Sequence, residues 1–295
     1  MKKSKLFFMA MALLCMATGF TACSDDDDQN VPNLPTPQYE QVSGKYTMTS
    51  TGSPYESIEL GASGNYVVTL NYGGYSAPAA YADNGTTRAT KGKRQSMLNI
   101  GKANAQTRAT QYGNVIYGTF TDMGNNEYNL EGFGTIRLDY SGSSVTGIEV
   151  TPQGGQTTQY NVEKAPVMGD DDMTNALCRT WKIERIHEIY VDKETGERFE
   201  GDFYPENPGE DAQDMPKEMM VSKSGTYIVS YLDGTFMLAV WKWQNRGAGV
   251  LAYGYDGEWS DDTAQITFNG NNAVMYEEWD DEYEKDQIWT YLVAK

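Results

Sequence analysis

Histidine is almost missing from this chain: His187 is the only one among 295 residues. A Ser-His-Asp set could be assembled at most once, and a multi-histidine metal centre not at all. Cysteine is nearly as scarce, with Cys15, Cys23 and Cys178. Long apolar stripes at helical spacing are lacking as well, which points away from an α fold. Basic residues are the minority, 23 Lys and Arg against 41 Asp and Glu, for a net charge of −18. So acidic a chain repels nucleic acid and anionic headgroups, which removes both as partners. The first half also lacks tryptophan; the six of them begin at Trp181.

What the N-terminus does contain is an address. Lys2, Lys3 and Lys5 precede the apolar run Leu6–Leu14, which is too short for a membrane-spanning helix of about 20 residues and reads as a secretory signal. Thr21-Ala22-Cys23 then resembles the lipobox of bacterial lipoproteins. The resemblance implies removal of residues 1–22 and acylation of Cys23, a covalent lipid being the one non-protein group expected. Several acyl chains anchor firmly where one alone binds marginally. Ser24 with Asp25, Asp26, Asp27 and Asp28 resembles the surface-export signal of Bacteroidetes lipoproteins, implying an outer-membrane protein that faces the cell exterior. Losing three lysines and no acid with the signal takes the charge from −18 to −21. With Cys15 gone and Cys23 lipidated, Cys178 has no partner, so no intrachain disulfide is expected. Stability must come from burial, for which roughly 270 residues suffice.

Residues 23–41 are acidic and Pro-rich and read as a tether. A first β domain is expected over 42–164. It opens with Gly44–Met48 and a hairpin whose strands, Ser57–Leu60 and Asn65–Leu70, flank Gly61-Ala62-Ser63-Gly64. Its pattern is interrupted at 72–113, where Arg88, Lys91, Lys93, Arg94, Lys102 and Arg108 face a single acid, Asp83. A run this long without structure of its own is either a flexible insertion or functional. Its basic character suits a docking arm for an acidic partner, this chain's own second half included. After a linker at 165–173, a second β domain is expected over 174–295. Ser224-Gly225-Thr226-Tyr227-Ile228-Val229-Ser230 repeats Ser63-Gly64-Asn65-Tyr66-Val67-Val68-Thr69 almost position for position. Each half offers roughly seven or eight short strands, enough to close an antiparallel barrel without edges.

Asn175-Ala176-Leu177-Cys178 before Trp181, the Ser-Gly-x-Tyr hairpin, and the strand succession to Lys295 resemble the small lipocalin-like domains of Bacteroidetes lipoproteins. In the first half the match is Gly44-Lys45-Tyr46 and its hairpin. The fold expected is therefore all-β, two tandem lipocalin-like barrels. The resemblance implies a small apolar ligand held in a barrel mouth.

Candidate binding residues follow from aromatic spacing. Trp241 and Trp243 share one strand face, and with Tyr231 and Tyr253 they either line an aromatic cavity, offer a platform to sugar rings, or fill the core. The acids Glu277, Glu278, Asp280, Asp281, Glu282, Glu284 and Asp286 form a solvated charge run or an oxygen-rich cation site. No nucleophile, metal or cofactor motif stands out. The sequence thus reads as a non-enzymatic, membrane-anchored binding module for a small apolar ligand or envelope partner. The alternatives are a glycan-binding accessory of polysaccharide uptake and an adhesive, fimbrial-type subunit.

Overall fold

A computed structural model describes residues 34–71, 97, 111–112, 114–208, 215–255 and 258–295. They form two closed eight-stranded antiparallel barrels in tandem, lipocalin-like in architecture. The first comprises β1 (Gly44–Met48), β2 (Tyr55–Leu60) and β3 (Asn65–Leu70). After the short β4 (Gln111–Tyr112) come β5 (Val115–Gly124), β6 (Glu127–Leu130), β7 (Gly134–Ser141), β8 (Ser144–Pro152) and β9 (Thr158–Lys164). It closes where β1 meets β9, with Tyr46 opposite Lys164. β3 pairs with β5, Val67 opposite Tyr117, so the basic insertion interrupts a hairpin rather than a barrel wall. Inward side chains recur at every second position, as the pleat requires. Ile136 and Leu138 of β7 meet Ile148 and Val150 of β8 in a core completed by Tyr46, Ile58, Leu60, Tyr66 and Leu130.

A short helix, α1 (Asp172–Leu177), leads into the second barrel. Its strands are β10 (Thr180–Asp192), β11 (Arg198–Phe203), β12 (Pro216–Val221) and β13 (Thr226–Tyr231). There follow β14 (Phe236–Asn245), β15 (Val250–Tyr255), β16 (Glu258–Asn269), β17 (Asn272–Asp280) and β18 (Glu284–Ala294). The long β10 has two roles. Thr180–Lys182 pair with β12 to close the barrel, while Ile186–Val191 carry β11 as an outer hairpin. β18 lies along the other edge of β10, from Trp181 opposite Ala294 to Asp192 opposite Glu284.

The repeated hairpins pack against each other. β13 is buried at all six positions and β2 from Ser57 onward, which breaks the in-out alternation expected of a half-exposed strand. The second face belongs to a separate cluster in which Val67 and Val115 of the first barrel meet Met220, Ile228 and Phe236 of the second. The Tyr117 and Phe236 rings sit 5.4 Å apart. Polar ties surround it. Thr180 donates its N–H to Ser63 Oγ at 3.0 Å and its hydroxyl to Asn65 Oδ1 at 2.6 Å, and Ser224 Oγ donates to the Glu59 carboxylate. A cavity of about 170 Å³ remains between the barrels, lined in part by Leu60, Lys164, Cys178 and Lys223.

One expectation needs correction and another a refinement. Residues 34–41 of the tether are docked on the barrels rather than extended. Leu34 packs on the core of the second barrel, the Pro35 carbonyl accepts from Arg179 Nη1 at 3.2 Å, and Tyr39 lies 4.6 Å from Phe120. The 165–173 segment is likewise held. The Met168 N–H bonds the Lys223 carbonyl at 2.7 Å, and Asp171 caps α1. Proline and glycine content marked both as loops; packing of Leu34 and Tyr39 places the first, while backbone bonding and the Asp171 cap place the second, whose Val167 and Met168 stay exposed.

Candidate functional site

Three of the four residues chosen for aromatic spacing are fully buried in the second barrel, and Trp243 is partly so. Trp241 and Trp243 do share the inward face, at 5.6 Å and nearly perpendicular. Their indole N–H groups are committed, Trp241 to the Ser222 carbonyl at 2.9 Å and Trp243 to Thr174 Oγ1 at 3.0 Å. Trp181 donates to the Leu177 carbonyl at 2.9 Å. These tryptophans therefore fill the end of the barrel that α1 covers. The sugar-platform reading is corrected for Trp241, whose ring is fully buried, while Trp243 is half-buried against it. Tyr231 and Tyr253 are 3% and 0% exposed.

The opposite mouth has different chemistry. β17 turns Met275, Glu277 and Trp279 inward, and β18 turns Ile288 and Thr290 inward. Glu277 stands opposite Ile288, six residues before Ala294 and thus about 20 Å along the strand from the α1 end. Its carboxylate is 1% exposed. Burying a charge is costly unless donors meet it. Tyr253 Oη donates to Oε1 at 3.1 Å, and the second donor shown there is the backbone N–H of Met97, at 2.9 Å. Met97 belongs to the basic insertion of the first barrel, 180 residues away in sequence. It is 0% exposed and sits in the core of the second barrel. At Met97 the insertion thus reaches the second barrel, through a backbone N–H rather than a basic side chain. The rest of the basic stretch, 72–96, 98–110 and 113, lies outside the described residues, as do Cys23, Ser24, Asp25, Asp26, Asp27 and Asp28.

Two further polar atoms on these strands, Trp279 Nε1 and Thr290 Oγ1, are buried and find no hydrogen-bond partner among the described residues. Buried polar atoms are rarely left so, which makes these two candidates for a further polar contact. Sequence reasoning missed Glu277 as a separate residue because it stood in a run of acids. The strand period divides that run: Glu277 turns inward, while Glu278 bonds Lys285 at 2.6 Å and Asp280 pairs with Lys193. Met97 carried no signal at all, since one methionine in a polar insertion has no periodic neighbours.

The remaining candidates lie elsewhere. His187 is on the outer face of β10, its Nδ1 3.0 Å from Asp202 Oδ1 and its ring 5.4 Å from Trp289. Cys178 is buried between the barrels, and burial pushes its thiol well up, away from nucleophilic chemistry. Among the described residues no group of three or more His, Cys, Asp or Glu is placed to hold a metal ion.

No family model and no curated protein matches this chain. Among solved structures, a protein of unknown function from the DUF3598 family of Nostoc punctiforme is similar at 7% identity, over 87% of this chain and 97% of that one. Its TM-score is 0.20. A likeness at that level carries no weight for function.

Proposed function

We propose that the chain is a lipid-anchored protein of the outer-membrane surface that binds a ligand rather than transforming one. Its second barrel, in this reading, receives an apolar group that carries an amide N–H, and Met97 fills that place in cis. The observation carrying the reading is the Met97 N–H on the buried Glu277 carboxylate at 2.9 Å. The thioether supplies the apolar body, and the amide supplies the donor that a buried carboxylate demands. Trp279 Nε1 and Thr290 Oγ1 offer further handles. An ordinary barrel core would hold an aliphatic side chain where Glu277 is. The lipid anchor rests on the lipobox at Cys23.

The test is the full mature chain with Met97→Ala. Truncating a buried methionine costs about 2–5 kcal/mol, read as a lower urea midpoint. N-acetylmethionine amide, titrated into the variant, should restore part of that stability and shift the tryptophan emission, while leaving the parent chain unmoved. Unchanged stability of the variant, or no response to the amide, would overturn the proposal.

A further inference from the structure

The first barrel carries a groove of about 660 Å³ between the turn that precedes β1 and the strands β5, β6 and β7. Its volume falls among small-ligand sites, which run to about 300–1,000 Å³. Three tyrosines line it, Tyr39, Tyr128 and Tyr140, the last 41% exposed. Gln38, Gln41 and Asn126 bring three side-chain amides, and Asp122 brings a carboxylate. Among the described residues no lysine or arginine lines it.

Its walls are held in place. The Tyr39 N–H bonds the Ala62 carbonyl at 2.9 Å, the Val42 N–H bonds the Tyr39 carbonyl at 3.1 Å, and Tyr46 Oη donates to the Val42 carbonyl at 2.7 Å. On the far side, Asp122 Oδ1 accepts the Gly124 N–H at 2.7 Å. Asn125 and Asn126 turn the chain at φ 55° and 61°, a conformation asparagine tolerates and most residues avoid. The Asn126 carbonyl takes the Leu138 N–H at 2.9 Å. Such a groove loses little freedom on binding, which favours affinity. Burial, and then the Asp122 charge, push the Tyr128 hydroxyl up to about 12, so it stays protonated as a donor across the physiological range.

From this geometry we infer that the groove is a binding site for a short, neutral oligosaccharide. Amides and a carboxylate supply donors and acceptors side by side, the arrangement that adjacent hydroxyls on a sugar ring match. The exposed Tyr140 ring supplies a flat face for the C–H side of the same sugar, while Tyr39 and Tyr128, whose rings pack on Phe120, line the groove behind it. Phosphorylated and acidic ligands are disfavoured by Asp122 and by the lack of any cation to pair with them. Val42 is the one aliphatic residue in the lining, too little for an acyl chain. The site shares no residue with the mouth of the second barrel, so either reading stands or falls alone.

The test is calorimetric titration of the full mature chain with four neutral hexasaccharides, from α-glucan, β-glucan, xylan and mannan, beside a hexagalacturonate. At least one neutral oligomer should bind saturably, and the acidic one should not. Tyr140→Ala, at an exposed ring the fold does not need, should weaken binding tenfold or more, and Gln41→Ala should weaken it measurably. Failure of all four neutral oligomers to bind at millimolar concentration would overturn the inference. So would binding that both substitutions leave unchanged.

Discussion

Asp171 shows how much a single side chain carries here. It ends the loop before α1, accepts the Thr174 N–H at 3.1 Å and hydroxyl at 2.8 Å, and pairs with Arg246 at 3.0 Å. The same Thr174 hydroxyl receives the Trp243 indole, so one carboxylate ties the helix, β14 and the covered end of the barrel together. Partial burial pushes its pKa up, but the Thr174 bonds and the Arg246 charge outweigh that, leaving it below the usual carboxylate value. A folded value below the unfolded one means that its stabilisation is fully present above about pH 4 and lost as pH falls through the folded value. Asp171→Ala should cost about 1 kcal/mol at neutral pH, the usual worth of an N-cap. The difference from the parent chain should shrink when urea midpoints are measured in acid. A difference as large at pH 2 as at pH 7 would mean that the carboxylate charge is not what holds the end closed. At this scale the sequence was legible where periodicity or cap chemistry spoke. It was silent at Met97 and Glu277, whose partnership spans 180 residues and depends wholly on tertiary packing.

At the scale of elements, the two Ser-Gly hairpins are the join of the molecule as well as its repeat. By the alignment of Ser63 with Ser224, Val67 corresponds to Ile228, and both lie in the cluster between the barrels. Their strand partners Tyr117 and Leu238 correspond in turn and pack beside it. The chain therefore buries one surface against the equivalent surface of its own repeat, as an isologous dimer does. The hairpins themselves were readable from turn chemistry: Gly64 and Gly225 adopt φ of 92° and 87°, which glycine allows. Their mutual packing was not readable, because strands apolar on both faces fit a buried wall in several arrangements. Ile228→Ala should remove about 2–5 kcal/mol from the contact between barrels rather than from either core. The prediction is that a single unfolding transition separates into two, followed by tryptophan emission for the second barrel and circular dichroism for both. A transition that stays single with only a shifted midpoint would show that the barrels are coupled mainly through the polar ties around Thr180 and Lys223.

For the whole molecule, the barrels and the address make different demands on the chain. Two barrels closed on themselves and joined through an apolar cluster with polar ties bury their cores without a membrane, and the chain's net negative charge gives no attraction to an anionic lipid surface. On the proposed lipoprotein reading, membrane residence then depends on the lipid at Cys23. The docked segment 34–41 leaves only residues 23–33 between the anchor and the first fixed contact, a reach of at most about 40 Å when fully extended. The groove of the first barrel includes Gln38, Tyr39 and Gln41 of that docked segment, so an anchored molecule would hold this groove nearer the membrane than a free tether would suggest. If Cys23 carries the lipid, Cys23→Ala in the full chain should lower the share of the protein that sediments with membranes. Circular dichroism and the urea midpoint of the released protein should match those of the anchored one, as the barrels are closed without the lipid. A variant that still sediments with membranes would mean that a surface of the barrels binds the envelope directly, and the address would lose its place in the argument.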